Sequence, residues 1–327
     1  MRKGRTITFD PPAVQVPNDT LMMFALQTPI QPVFRFAPSP NGALHLGHAL
    51  SALVGWEMAQ RLRGRFLLRI EDIDPVRSRS EHIAGIHRDL AWLGVCWETP
   101  VLQQSQALHH YVAAAETLAA MGLLYPCFAS RAEIAAAADP AVSDPDGAPL
   151  YPGLHRGLSP TEVARRRAAG ERPVRRLDMA SALAALSRRL GSQPLMFTAL
   201  GGCSSGPRHS VAHPERWGDV VLQRKDIPTS YHLSVVVDDA RQGVTHVTRG
   251  VDLVAATDLH RLLQTLLGLP EPVYFHHPLI TDAGGRKLAK SARDTSLRQL
   301  RDDGATPRDI RRLVDLEAVL AMALPGW

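Results

Sequence analysis

The chain has 327 residues, of which 45% are hydrophobic and 21% charged, and this composition excludes an intrinsically disordered protein. Lys and Arg outnumber Asp and Glu by 37 to 32, so the net charge of +5 is compatible with RNA or an anionic metabolite as partner without establishing either. No run approaches the ~18 apolar residues of a membrane helix, and three cysteines without C-x-x-C spacing favour a reduced, cytoplasmic protein.

The organised part of the sequence begins at Val33. Residues 1–32 contain several prolines and no periodic apolar pattern, so we expect a poorly ordered leader. The next predicted elements are a strand at 33–37, a helix at 48–63, a strand at 65–70 and helices at 79–93 and 104–121. This order predicts a parallel sheet with helices on both faces, an α/β nucleotide-binding domain of the doubly wound type.

The middle of the chain has a different composition. It contains a Pro/Asp/Gly stretch at 139–152, an arginine-rich helix at 160–169 and a Gly/Ser loop at 201–207, which indicate an inserted subdomain. Sheet-like segments return at 219–222 and 243–248, followed by a helix at 253–267 and an apolar run at 273–279. The predicted parts are the leader, a first half of the nucleotide-binding domain at 33–125, an acceptor-like insertion at 126–217, a second half at 218–291 and a short helical tail at 292–327.

The first candidate site follows the first strand, in the sequence P-S-P-N-G-A-L-H-L-G-H at 38–48. A strand that leads into a helix presents backbone N–H groups and the helix N-terminus to a nucleotide phosphate. His45 and His48, three residues apart, can both reach one phosphate, and Gly47 between them allows close approach. A turn followed by capping histidines is the alternative.

The second candidate site is the loop G-G-R-K-L-A-K-S at 284–291. The chain has only four lysines, and two of them, Lys287 and Lys290, lie here. A mobile loop with two compact cations suits the stabilisation of charge that develops on a phosphate. A solvated basic loop is the alternative.

The two motifs together resemble the paired signatures of class I aminoacyl-tRNA synthetases. The flanking segments are similar to the glutamyl-tRNA synthetase group: R-F-A-P-S-P at 35–40, L-R-I-E-D-I-D at 68–74, Y-H-L-S-V-V-V-D-D at 231–239 and G-V-T-H-V-T-R-G at 243–250. The glutaminyl relatives typically carry an acidic residue where this chain has Ser39. The resemblance runs from about Val33 to Ser291 and implies a Rossmann-type catalytic domain.

The resemblance implies contacts with L-glutamate at Arg35, Ala37, Ser39, Glu71, Tyr231 and Arg249. Side-chain chemistry agrees, because Arg35 and Arg249 can each bind a carboxylate with two hydrogen bonds and Glu71 can pair with the ammonium group. A salt bridge among these three residues is the structural alternative.

The resemblance also implies ATP as a substrate and Mg²⁺ as its companion. The ATP-binding residues would be His45, Gly47, His48 and Lys290. The catalytic residues would be His45, His48, Lys287 and Lys290.

The segment after the lysine motif is shorter than in a full glutamyl-tRNA synthetase. Only residues 292–327 follow Ser291, too few for an anticodon-binding domain, and this feature resembles the glutamyl-Q tRNA(Asp) synthetases. That group esterifies glutamate to the queuosine base in the anticodon of tRNA(Asp), so the expected partners are this tRNA and L-glutamate, with neither DNA nor a membrane. The alternatives are a truncated synthetase that charges the tRNA 3′ end and a non-catalytic RNA-binding paralogue.

The insertion departs from the family's zinc site. Ala129 stands where a second cysteine is common, and only Cys127, Tyr151 and His155 remain as candidate ligands. Structural zinc normally takes four ligands, so we expect no zinc here. The arginines at 165–167 and 172–176 either contact RNA or form a solvated surface.

Overall fold

The computed structural model of the chain describes residues 31–201, 207–280 and 295–324. The predicted leader up to residue 30 and the loop with Lys287 and Lys290 therefore lie outside the described residues. The described strands are β1 (Val33–Phe36), β2 (Arg65–Ile70), β3 (Glu98–Gln103), β4 (Leu124–Cys127), β5 (Val174–Leu177), β6 (Met196–Leu200), β7 (Arg208–Val211), β8 (Val221–Gln223), β9 (His246–Gly250) and β10 (Val273–His277).

The helices surround these strands in the order typical of an α/β fold. They are α1 (Leu46–Arg61), α2 (Ser80–Trp92), α3 (Leu108–Ala120), α4 (Arg131–Ala137), α5 (Pro160–Ala168), α6 (Met179–Leu190), α7 (Tyr231–Arg241), α8 (Val254–Leu267), α9 (Leu297–Asp302), α10 (Pro307–Leu313) and α11 (Leu316–Ala323). No helix in the described ranges combines the length and the apolar character needed to cross a membrane.

The central sheet is parallel and doubly wound, which confirms the predicted fold class. Strand β2 pairs in parallel with β1 and β3, and β10 pairs in parallel with β9 and β6. The two groups meet at β1 and β9, where the Thr245 N–H donates to the Val33 carbonyl at 3.0 Å. The strand order is therefore β3-β2-β1-β9-β10-β6, with β7 antiparallel at the β6 edge.

Alternating side chains of the central strands supply two separate cores. On β1, Val33 packs with the core that includes α3, α6, α7 and α8, whereas Phe34 and Phe36 pack with the core that includes α1, α2, α10 and α11. Successive strand residues point to opposite faces, and buried parallel strands are apolar on both faces. The V-F-R-F and R-F-L-L-R-I segments therefore form the centre of the sheet.

The segment predicted as an insertion contributes to two sheets. Strand β5 pairs with β4 and β8 in a small antiparallel sheet, while β6 extends the parallel sheet beside β10. The division into two halves and an insertion stays a prediction.

Strand β3 was not predicted, because E-T-P-V-L-Q contains Pro100 and little apolar periodicity, as is typical of an edge strand.

Helices α10 and α11 pack on the first helix. Ile310 of α10 and Leu316 and Leu320 of α11 are buried in the same core as Leu50 and Leu53 of α1. This packing places the end of the described chain against the helix that begins at the candidate phosphate motif.

Candidate active site

An open cavity of about 440 Å³ lies at the carboxyl ends of β1 and β9. Doubly wound sheets bind ligands at this position, because the chain leaves neighbouring strands in opposite directions there and opens a crevice. All predicted site residues that the structure describes line the cavity, namely Arg35, Ala37, Ser39, His45, Gly47, His48, Glu71, Tyr231 and Arg249.

The start of α1 brings two imidazoles to the cavity. The Gly47 N–H donates to Nδ1 of His45 at 3.1 Å, and the His45 N–H donates to Nδ1 of His48 at 3.2 Å. Because both Nδ1 atoms accept, each ring carries its hydrogen on Nε2. The ring centroids are 3.9 Å apart. Two ring N–H donors beside a helix N-terminus are suited to an anionic phosphate.

Gly47 allows the close approach of the His45 ring. A Cβ at residue 47 would lie 3.0 Å from Cε1 and 3.2 Å from Nδ1 of His45. Such a contact is tighter than ordinary van der Waals packing, so the ring would have to shift by a few tenths of an ångström. The glycine of the H-L-G-H motif therefore allows the histidine to fold back over the first turn.

A buried ion-pair network joins β1, β2 and α7 beside the cavity. Asp239 accepts from Nε of Arg35 at 3.0 Å and from Nη1 of Arg69 at 2.8 Å, and Oε1 of Glu71 lies 3.4 Å from Nη2 of Arg69. Burial opposes ionisation of Asp239, but the two arginines hold its pKa below the usual value. Burial raises the pKa of Glu71 despite the neighbouring arginines.

Arg69 and Asp239 were not among the site residues predicted from the sequence. Arg69 is fully buried, and a charged residue inside the apolar strand R-F-L-L-R-I was the available signal. The paired acids at the end of the apolar run in α7 were the second signal. Asp238 accepts from the Tyr111 hydroxyl at 2.7 Å and from Nε2 of Gln104 at 2.9 Å, which fixes α7 against α3 and the turn after β3.

Arg249 is surrounded by neutral groups. It is 5% exposed, and among the described residues no carboxylate lies within ion-pair distance of it. Its Nη2 donates to Oγ1 of Thr257 at 2.7 Å, and its guanidinium lies 5.3 Å from the ring centre of Tyr274. The predicted alternative, a mutual salt bridge of Arg35, Glu71 and Arg249, is therefore not formed.

Three histidines near Arg249 are neutral at pH 7. Burial, aided by the charge of Arg249, lowers the pKa of His232 to about 4 and that of His276 to about 3. The same causes lower the pKa of His260 well below its usual value. Arg249 consequently presents its positive charge to the cavity with no carboxylate of the described residues at ion-pair distance, an arrangement suited to a ligand carboxylate.

Tyr231 and the two residues after β1 complete the wall of the cavity. Tyr231 is the first residue of α7, and burial raises the pKa of its hydroxyl, which stays protonated at pH 7. Ala37 follows β1 directly, Ser39 lies two residues further along the chain, and both line the cavity. These residues offer the cavity two neutral hydroxyl groups, those of Tyr231 and Ser39, and the small side chain of Ala37.

The candidate zinc ligands form hydrogen bonds with one another and with neighbouring backbone N–H groups. The Cys127 thiol donates to the Tyr151 hydroxyl at 3.2 Å, and Nδ1 of His155 accepts from the backbone N–H of Phe128 at 2.9 Å and of Ala129 at 3.1 Å. The lone pair that His155 would offer a metal is thus directed at backbone donors, and the described residues contain no group of three suitable ligands. These residues do not fit a zinc ion.

The arginines of α5 are partly neutralised within the helix. Arg165 and Arg166 both pair with Glu162, at 2.7 and 2.8 Å. The contact of this segment with RNA stays a prediction.

Comparison with known proteins gives consistent matches. The family model of the class I tRNA synthetases (E and Q), catalytic domain, matches residues 32–188 and 208–320. The glutamyl-Q tRNA(Asp) synthetase of Rhodobacter capsulatus is 47% identical over 292 residues, which is 87% of this chain and 100% of the relative. The glutamyl-Q tRNA(Asp) synthetase of Nitratidesulfovibrio vulgaris is 38% identical over 302 residues, 90% of this chain and 87% of the relative.

A solved structure agrees in fold. The glutamate-tRNA synthetase from Elizabethkingia anophelis superposes with a TM-score of 0.69 at 23% identity, covering 91% of this chain. This chain spans only 66% of that synthetase.

Proposed function

The chain belongs to the class I tRNA synthetases for glutamate and glutamine, and on this basis we propose that it is a ligase that activates L-glutamate with ATP and transfers it to the queuosine base of tRNA(Asp). The relative from Rhodobacter capsulatus, matched over its full length, supports this specific activity. The observation that carries the proposal is structural. One cavity combines the two imidazoles at the start of α1 with Arg249, a buried arginine that has no carboxylate partner among the described residues.

The first step joins glutamate to AMP. A carboxylate oxygen of glutamate attacks the α-phosphorus of ATP, and pyrophosphate leaves. His45 and His48 donate from Nε2 to the phosphates, and Gly47 gives them room. Lys287 and Lys290 stabilise the charge that develops during the transfer. Mg²⁺ accompanies ATP and neutralises part of the polyphosphate charge.

The glutamate lies between β1, β2, α7 and β9. Arg35 and Arg249 bind its two carboxylates, and Glu71 accepts from its ammonium group. Tyr231 donates its hydroxyl, while Ala37 and Ser39 shape the wall.

The second step transfers glutamate to RNA. A hydroxyl of the modified base attacks the carbonyl of the adenylate, and AMP leaves, so no side chain has to form a covalent intermediate. Bases in a single-stranded loop can be splayed out toward a protein site, as this step requires.

Both described cysteines, Cys96 and Cys127, are free, which supports a cytoplasmic location.

The decisive experiment measures transfer of labelled glutamate to tRNA(Asp) with and without queuosine. We expect label only on the queuosine-containing tRNA, and it should persist when the 3′-terminal adenosine has been removed. Label on both tRNAs, lost on removal of the terminal adenosine, would instead identify an enzyme that charges the 3′ end. Absence of glutamate-dependent ATP–pyrophosphate exchange would indicate a non-catalytic RNA-binding protein.

A further inference from the structure

Three buried arginines lie at or beside the cavity, and they differ in their partners. Arg35 and Arg69 share Asp239, and Arg69 also lies 3.4 Å from Glu71. The positive charges of Arg35 and Arg69 are thus balanced by the negative charges of Asp239 and Glu71. Arg249 has no carboxylate at ion-pair distance among the described residues, although it is only 5% exposed.

The groups that hold Arg249 are acceptors without charge. Nη2 donates to Oγ1 of Thr257 at 2.7 Å, and Nη1 donates to Nδ1 of His260 at 3.2 Å. Nε donates to Nε2 of His276 at 3.3 Å. A protonated imidazole nitrogen has no lone pair to offer, so these ring nitrogens must be unprotonated. His260 then carries its hydrogen on Nε2, which lies 3.2 Å from Nδ1 of His232.

These acceptors lie behind Arg249, because none of Thr257, His260 and His276 lines the cavity. They position the guanidinium without cancelling its charge. The neighbouring buried Asp238 is paired with Arg241 at 3.0 Å. The buried charges of Arg35, Arg69, Arg249, Glu71 and Asp239 therefore leave one positive charge uncompensated. Asp252 also lines the cavity, but it is exposed, and solvent screens its charge.

A ligand with one net negative charge matches this excess. L-Glutamate carries two carboxylates and one ammonium group, whereas glutamine has no net charge and would leave a buried cation unpaired. An uncompensated buried charge is strongly unfavourable. Resting on the proposed function, we propose that Thr257, His260 and His276 form a neutral cage on Arg249 that makes the site select glutamate over glutamine.

The test compares His276→Asp with His276→Asn, which differ only in charge. ATP–pyrophosphate exchange is measured with glutamate and with glutamine, in the presence and absence of tRNA(Asp). We expect His276→Asp to raise KM for glutamate by about 10- to 100-fold, because the new carboxylate neutralises Arg249. KM for ATP should stay within about twofold, and the preference for glutamate over glutamine should fall at least about tenfold.

His276→Asn keeps a neutral acceptor and should restore most of the affinity, with KM for glutamate within about threefold of the unsubstituted chain. If the Asp and Asn variants show the same KM and the same preference, the cage does not act through its neutrality and the inference is wrong.

A second pair of variants at His260 provides the same test if the His276 variants do not fold. His260→Glu and His260→Gln place the same contrast on α8, and thermal unfolding shows which variants remain native. The inference requires the acidic member of every folded pair to lose glutamate selectivity, and it is overturned if folded acidic variants keep it. Failure of the proposed function would be distinct, because the unsubstituted chain would then either show no glutamate-dependent exchange or transfer glutamate to the tRNA 3′ end.

Discussion

Arg69 shows how a single charged residue can tie the site to the sheet. Its guanidinium lies between β2 and α7, donating to Asp239 at 2.8 Å and to Oε1 of Gln242 at 2.9 Å. Removal of one partner from a buried pair leaves the other charge desolvated, and the penalty exceeds that of an exposed pair several-fold. The network therefore contributes more to the position of Asp239 and Glu71 than a surface salt bridge would.

The same strand offers a matched comparison. Arg65 pairs with Glu98 at 2.6 Å, but both side chains are 43% exposed. We expect Arg69→Met to lower the free energy of unfolding by about 3–5 kcal/mol and Arg65→Met by less than about 1 kcal/mol. Urea unfolding at pH 7.5 measures both. Similar losses in the two variants would show that Asp239 and Glu71 relax without Arg69.

The buried histidines make stability depend on pH. The unfolded chain binds protons on histidine near pH 6.5, whereas His232 and His276 in the folded chain have pKa values of about 4 and about 3. Below pH 6.5 the unfolded state therefore binds more protons, and stability falls as the pH falls toward these values. Each histidine should lower the free energy of unfolding by about 2 kcal/mol between pH 7.5 and pH 5.

His232→Asn isolates this contribution, because asparagine does not titrate. Urea unfolding at pH 7.5 and pH 5.0 should show a pH-dependent loss about 2 kcal/mol smaller in the variant than in the unsubstituted chain. The same loss in both proteins would mean that His232 is protonated in the folded state.

At the scale of the elements, the bounds of single helices and strands were predicted from the sequence more accurately than the pairing of strands with one another. The strand at Arg65–Ile70 has the predicted ends, and the helix predicted at 48–63 is found at Leu46–Arg61, because apolar runs and a terminal glycine are local signals. The pairing of β6 with β10 depends on residues far apart in the chain, and no local pattern encodes it. The candidate cavity residues were predicted through motif resemblance, whereas Arg69 and Asp239 were missed because a buried pair needs two distant segments.

The first turn of α1 has both a capping role and a proposed chemical role. His45 is the N-cap, and its Nδ1 accepts from the Gly47 N–H. Asparagine can cap in the same way but lacks the Nε2 donor, whereas alanine lacks both functions. We expect His45→Ala to lower the free energy of unfolding by about 1 kcal/mol and His45→Asn by only a few tenths.

Both substitutions should slow adenylate formation by about 100-fold, since a phosphate donor is lost in each. ATP–pyrophosphate exchange and urea unfolding separate the two roles. If His45→Asn retains the rate of the unsubstituted chain, capping is the whole role of His45.

At the scale of the molecule, the final helices connect the far end of the described chain to the phosphate motif. The Leu297 N–H donates to the Leu44 carbonyl at 2.8 Å, and Ser296 forms a backbone bridge with His45. Arg61 of α1 pairs with Glu317 of α11 at 2.9 Å, and Arg311 of α10 pairs with Glu57 of α1. Packing of the tail and the geometry of the nucleotide site are therefore coupled through α1.

Two residues of α10 test this coupling. Ile310 is fully buried, whereas Leu313 is 56% exposed. We expect Ile310→Ala to lower the free energy of unfolding by about 2–5 kcal/mol and Leu313→Ala by less than about 0.5 kcal/mol. Because α10 packs on α1, the helix whose N-cap is His45, Ile310→Ala should also raise KM for ATP several-fold at a temperature where the variant is folded. A folded Ile310→Ala variant with unchanged KM for ATP would show that the tail stabilises the fold without positioning the nucleotide site.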